Sequence, residues 1–201
     1  AGGAGLQEKR ERELELFTGG ARSGKSEFAE RYVLHYSPKC DYIATAEILD
    51  KEMAERVRLH VERRSDGRWV NHEAPYHAEE VFASLGEETG AVLFDCLTMY
   101  MTNLMYGKVA VHGDFLSRCG FVLDEIDKLV AAAKACGKIV VFVTNEVGDG
   151  IVPDNLMARE YRDLAGWVNQ KVAQAADHVY CCIAGQAVDV KKLAFKFEDE
   201  E

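Results

Sequence analysis

An α/β domain is the fold this sequence predicts: a doubly wound, mostly parallel sheet with helices on both faces. Three observations carry that expectation. Short apolar runs alternate along the chain with longer amphipathic stretches. The first run, Leu14 to Phe17, passes through a glycine-rich turn straight into a helical stretch. Polar residues gather just past the C-terminal ends of the runs, at Thr45-Ala46-Glu47, Asp95 and Thr144-Asn145-Glu146. Open parallel sheets hold their ligands there.

The bulk numbers bound the rest. A chain of 201 residues with 48% hydrophobic content suits one domain with a sizeable core. The expected layout is a flexible leader over residues 1–12, a single nucleotide-binding catalytic domain over 13–192, and an acidic tail over 193–201. A net charge of −10 excludes a broad nucleic-acid footprint, which calls for a basic face. No apolar run reaches the ~18–20 residues of a membrane helix, and the leader lacks a signal-peptide core. The six cysteines show no C-x-x-C spacing, so free thiols in a cytoplasmic protein are expected.

The strand Leu14 to Phe17 leads into Gly19-Gly20-Ala21-Arg22-Ser23-Gly24-Lys25-Ser26, which fits G-x-x-x-x-G-K-S/T. Glycines let the backbone wrap a polyphosphate, so that N–H groups and the following helix N-terminus point at the anion. Lys25 then reaches the β/γ oxygens and Ser26 ligates Mg²⁺. The motif predicts a P-loop domain that binds a nucleoside triphosphate.

A second strand is expected at Asp41 to Ala44. The stretch from Asp50 to Arg64 has the period of a helix, with an apolar seam at Met53, Val57 and Val61. Beside that seam runs a basic stripe, Arg56, His60, Arg63 and Arg64. A short strand from Arg68 to Asn71 leads to Glu73, and Tyr76 to Leu85 reads as a helix. Ala91 to Asp95 is an apolar run ending in a carboxylate. After a P-loop it has the form of a strand whose acid holds Mg²⁺ directly or through water. Helices are expected before Tyr106, from Phe115 to Cys136 and from Asn155 to Ala176. Lys138 to Thr144 and His178 to Ala184 complete the strands.

A P-loop specifies a nucleotide, not a reaction. Neutral imidazole is a competent nucleophile toward phosphorus, and the arginines beside His60 suit a pyrophosphate leaving group. However, Glu52–Arg56 and Arg58–Glu62 are i, i+4 pairs, so the same stretch reads as a solvated helix with an idle histidine. On spacing alone that second reading is the better one.

Longer motifs reverse it. Thr18 to Ser26, Tyr42-Ile43-Ala44-Thr45-Ala46 and Met53-x-x-Arg56-Val57-x-x-His60 resemble the bifunctional adenosylcobinamide kinase/adenosylcobinamide-phosphate guanylyltransferase family. So do Trp69-x-x-x-Glu73-x-Pro75, Asp95-Cys96-Leu97-Thr98, Thr144 to Asn155, and Arg162-Asp163-x-x-Gly166-x-x-Asn169-Gln170. The resemblance implies a RecA-like P-loop fold and two reactions of cobalamin assembly and salvage. ATP or GTP phosphorylates adenosylcobinamide. GTP then gives its GMP, by way of a histidine, to adenosylcobinamide phosphate, yielding adenosylcobinamide-GDP. By the matching motif the histidine is His60. Nucleotide contacts carry over to Gly19 through Ser26, to Thr45, Ala46 and Glu47, to Arg63 and Arg64, and to Glu73 and Asp95, with Ser26 and Asp95 as the Mg²⁺ ligands. The family's homotrimer is implied as well. His60 lies late on its helix, where the dipole disfavours anions. It is therefore expected far from the P-loop in an empty monomer, with helix movement or a neighbouring subunit completing the site. The rivals are a P-loop kinase or RecA-like ATPase with His60 idle, and a non-catalytic nucleotide switch.

Overall fold

A computed structural model describes residues 10–198 of the chain. Its centre is a seven-stranded sheet in the order β3-β2-β4-β5-β1-β6-β7. The strands are β1 (Leu14–Gly19), β2 (Cys40–Ala44), β3 (Trp69–Glu73), β4 (Ala91–Asp95), β5 (Ile139–Val143), β6 (His178–Ile183) and β7 (Gln186–Asp189). All neighbours pair in parallel except β6 and β7. The glycine-turn strand β1 and the Asp95 strand β4 are separated by β5, the arrangement expected of a RecA-like domain.

The two faces follow from the period of 2 along each strand. Val92, Phe94, Val140 and Phe142 turn to one side, where α3 (Ala78–Ala83), α4 (Leu97–Tyr106), α5 (Phe115–Ala135) and α6 (Leu156–Ala175) cover them. Phe17, Leu93, Val141 and Val143 turn to the other, against α1 (Lys25–Tyr36). On this second face Phe17 packs on Phe28, Tyr32 and Tyr180, with ring centroids 5.0 to 5.2 Å apart. Caps mark the helix starts: the side chains of Asp50, Asp114 and Asn155 accept from the backbone N–H three residues on.

Four expectations need correction. The apolar seam of α2 (Lys51–Arg63) does not enter the core: no residue of that helix is buried, and Val61 is exposed. The expected helix over Tyr76 to Leu85 shrinks to six residues. The chain does not stop pairing after β6. A Gly185 turn with positive φ returns it as the antiparallel β7, followed by the short α7 (Val190–Leu193), whose last residue is the first of the range expected for the tail. Finally, Arg10, assigned to the leader, donates to the hydroxyls of Tyr32 and Tyr180 at 2.5 and 3.0 Å. The remainder of the leader, and residues 199–201 of the tail, lie outside the described residues.

Candidate active site

The turn between β1 and α1 is set by its backbone. Gly24 caps α1 with φ +92°, and Arg22 also takes a positive φ of 54°. Glycine is needed at position 24 because a Cβ there would lie 3.1 Å from the Cα of Gly185. At Gly19 a Cβ would lie 2.8 Å from the carbonyl oxygen of Cys182. The Gly185 N–H donates to the Ser23 carbonyl at 2.8 Å, tying the loop to the β6–β7 turn. Lys25 is buried and its ammonium donates to the Gly20 carbonyl at 3.0 Å, inside the loop it serves.

Behind this loop stands a polar scaffold built from the run after β5. The Thr18 hydroxyl donates to Glu146 at 2.6 Å, and the Glu146 N–H donates to the Gly19 carbonyl at 3.0 Å. Thr144 donates to Asn169 at 2.7 Å, Asn145 to Thr98 at 2.8 Å, and Arg162 to the Gly148 carbonyl. These bonds give the Thr144-to-Gln170 motif its physical content: it buttresses the β1, β4 and β5 ends.

Two cavities open at the C-terminal ends of the strands. One, of about 800 Å³, is basic: Arg22 to Ser26 line its floor, and Arg31, Arg63, Arg64 and Arg68 line its sides. The other, of about 410 Å³, is mostly apolar and lies between α2 and the sheet. Ala44, Thr45, Ala46, Val57 and Met99 form its walls, with Asn71, His72 and Glu73 at the β3 end. His60, Arg64 and Asp95 line both cavities, so they stand at the junction. The expected separation of His60 from the P-loop is therefore not found. The exposed His60 side chain and the glycine loop share one cavity within a single chain.

The junction is wired together. The Tyr42 hydroxyl donates to Asp95 Oδ2 at 2.5 Å. Burial, and then the neighbouring Asp95 carboxylate, hold the Tyr42 phenol far above its ordinary range, so it remains a donor. The Arg64 guanidinium lies 3.5 Å from the centre of the Tyr42 ring. Its Nε donates to Glu30 on α1 at 3.3 Å, and its Nη1 donates to the His60 carbonyl at 2.9 Å. Arg64 is thus the buried clamp by which the end of α2 is held to α1 and β2. Arg64 is buried and bonded on two sides, whereas the Arg63 side chain is exposed toward the basic cavity.

The other expected residues divide. Ser26 is exposed at the start of α1 and shares the basic cavity with Asp95; a hydroxyl and a carboxylate are hard oxygen donors that suit Mg²⁺. Ala46 and Glu73 reach the apolar cavity. Thr45 also lines it, but its hydroxyl is committed to Cys96, donating to the carbonyl and accepting from the N–H at 2.9 Å each. Glu47 is not brought in: it accepts from the Tyr76 hydroxyl at 2.7 Å and does not line either cavity. Sequence reasoning passed over Arg31 and Arg68 in the basic cavity and Asn71 and His72 in the other. Their signal was weak, since only the fold brings α1 and β3 to this edge.

Fold and site together define a P-loop nucleotide-using transferase. Residues 15–190 match the family described as cobinamide kinase/cobinamide phosphate guanyltransferase. The "Bifunctional adenosylcobalamin biosynthesis protein CobU" of Salmonella typhimurium strain LT2 is 41% identical over 180 residues, covering 88% of this chain and 98% of its own length. The protein of the same name from Escherichia coli K12 is 42% identical over the same shares. "Bifunctional adenosylcobalamin biosynthesis protein CobP" of Pseudomonas aeruginosa is 33% identical over 177 residues, covering 88% and 96%. Among solved structures, a KaiC-like protein from Pyrococcus horikoshii aligns over 85% of this chain and 71% of its own, with a TM-score of 0.48 and 12% identity. The chain belongs to the cobinamide kinase/cobinamide phosphate guanyltransferase family.

Proposed function

We propose that GTP spans the two cavities, with its nucleoside in the apolar one and its triphosphate in the basic one, and that His60 at the junction takes the GMP. The observation that carries this reading is the shared lining: only near that junction does the α-phosphorus lie between the base and the P-loop. A neutral His60 ring nitrogen attacks the α-phosphorus. A P–N bond forms, the bond to the β-phosphate's bridging oxygen breaks, and pyrophosphate leaves toward Lys25 and Arg63. Adenosylcobinamide phosphate then attacks the same phosphorus through a phosphate oxygen. The P–N bond breaks, and adenosylcobinamide-GDP and free His60 result. Arg64 supports the step by fixing the His60 backbone rather than by touching phosphate. In the kinase half-reaction the substrate hydroxyl attacks the γ-phosphorus of ATP or GTP held on the same loop; the bond to the β,γ-bridging oxygen breaks, ADP or GDP leaves, and the hydroxyl proton passes to solvent. Ser26 and Asp95 would hold Mg²⁺, which offsets phosphate charge when bound.

The family's homotrimer and a cytoplasmic setting belong to the same reading, and sedimentation of the purified chain tests the first. Among the described residues no helix is long and apolar enough to cross a membrane. The decisive experiment incubates the enzyme with α-labelled or γ-labelled GTP and then denatures it. Label retained from the α position, stable to alkali and labile to acid, and absent from His60→Ala, is the expected result. Equal retention in His60→Ala overturns the nucleophile. No α label in either protein favours the idle histidine that the Glu52–Arg56 and Arg58–Glu62 pairs suggest.

A further inference from the structure

At the opposite edge of the sheet from the P-loop, Glu13, Glu15 and His178 converge. Glu13 precedes β1 by one residue and Glu15 is the second residue of β1. Glu15 is the register partner of His178 on β6. One oxygen from each carboxylate and one imidazole nitrogen lie within 4.8 Å of one another. Glu15 is fully buried; its Oε1 accepts from the Tyr32 hydroxyl at 2.9 Å, and its Oε2 is buried without a hydrogen bond among the described residues. Glu13 Oε2 is likewise buried and unbonded, 3.5 Å from His178 Nε2. On the far side of the ring, His178 Nδ1 faces Asp189 Oδ2 of β7 at 4.0 Å. Among the described residues, the Arg10 guanidinium lies 3.6 Å from Glu13 and 3.7 Å from Glu15.

One buried oxygen of each carboxylate, Glu13 Oε2 and Glu15 Oε2, has no hydrogen bond among the described residues, and a buried polar atom left unpaired is costly. The donor set is mixed nitrogen and oxygen, which suits Zn²⁺ and its near relatives better than Mg²⁺ or Ca²⁺. Asp189 lies 4.0 Å behind the imidazole, near enough to favour the ring's charge but beyond hydrogen-bond range.

We propose that Glu13, Glu15 and His178 form a binding site for a divalent cation of the Zn²⁺ class, distinct from any Mg²⁺ carried with the nucleotide. The site ties β1 to β6 about 13 Å along the strand from the P-loop. Arg10 competes with the cation for the same two carboxylates.

The test uses the full-length protein with excess Mg²⁺ to occupy the nucleotide site, and Co²⁺ as a coloured substitute for Zn²⁺. Expected is one Co²⁺ per chain with weak visible absorption and no intense thiolate charge-transfer band, which separates this site from the six cysteines. His178→Ala and Glu15→Gln should weaken binding more than tenfold, and Asp189→Asn by ~10-fold through the imidazole. Arg10→Ala should tighten it several-fold, a result that mere damage to folding would not give. Should Glu15→Gln fail to fold, Glu13→Gln, on a part-exposed side chain, answers the same question. Zn²⁺ should raise the melting temperature of the parent protein and not that of His178→Ala. The proposal is overturned if the parent shows no one-to-one binding at ~100 μM Co²⁺, if His178→Ala and the parent give the same isotherm, or if the spectrum is that of a thiolate site.

Discussion

The P-loop and α2 face each other across one cavity and are held in opposite ways. The loop is over-determined: a Cβ at Gly19 or Gly24 would press on backbone, Lys25 folds onto its own turn, and Glu146 braces Thr18 and Gly19 from behind. The helix that carries His60 buries no residue of its own and is fastened at its C-terminal end by Arg64, the buried cap residue. On the proposed mechanism, phosphate capture would rest on fixed main-chain geometry and group transfer on a helix held by one side-chain clamp. A two-step enzyme would gain from this division, because the cradle would serve both half-reactions and the histidine one.

The sharpest way to break that comparison is to remove one group from each side. His60→Ala should abolish guanylyl transfer, a loss on the order of 10³-fold or more, while the kinase rate stays within about threefold of the parent. Lys25→Ala should cut both half-reactions by roughly 10²–10³-fold. Separate assays of γ-phosphoryl and α-guanylyl transfer decide; equal losses in both steps for His60→Ala would show that the two regions are not independent.

The backbone claim is tested next. Gly24→Ala places a Cβ at positive φ and 3.1 Å from the Gly185 Cα. A loss of about 1–3 kcal/mol is expected from chemical denaturation, together with weaker nucleotide binding. An unchanged midpoint would mean that the loop can relax at no cost, and would remove the argument for its rigidity.

How much of this was legible in the sequence follows the same division. The P-loop, β4 with Asp95, and the Thr144 run could be read because their function requires fixed backbone, and fixed backbone demands particular residues at particular spacings. Thr144, Asn145 and Glu146 bond to neighbours that the motif itself contains or adjoins. The α2 region was legible as a helix, and its Glu52–Arg56 and Arg58–Glu62 pairs form as the spacing predicts. Its seam was misread because Val57 and Val61 face a cavity rather than a core, and periodicity cannot tell one from the other. Position 60 was misplaced for a related reason: the dipole argument treats the helix end in isolation, while the fold sets Arg31, Lys25 and Arg68 around it. The β7 hairpin escaped notice because its four residues include one strong strand former, Val188. Glu47 was drawn in by adjacency to Thr45, although Tyr76 holds it elsewhere.

The clamp itself gives a smaller and more discriminating effect. Arg64 and Arg63 are neighbours of equal charge, so loss of positive potential would make their alanine variants alike. The geometry separates them: Arg64 bonds to Glu30 and the His60 carbonyl and stacks on Tyr42, while Arg63 is open to solvent. Arg64→Ala should cost about 2–3 kcal/mol of stability, because it leaves Glu30 and the helix-end carbonyl without their donor. It should also slow guanylyl transfer by 10- to 100-fold through displacement of the imidazole.

Arg63→Ala should leave stability within ~0.5 kcal/mol and weaken GTP binding in a salt-dependent way. Arg64→Lys is the informative control. A lysine keeps the charge but lacks the planar fork that bonds and stacks at once, so the rate should stay near that of Arg64→Ala. Full recovery with lysine would show that position 64 supplies charge to the phosphates, and the distinction drawn between a fixed cradle and a clamped helix would then fail at its narrowest point.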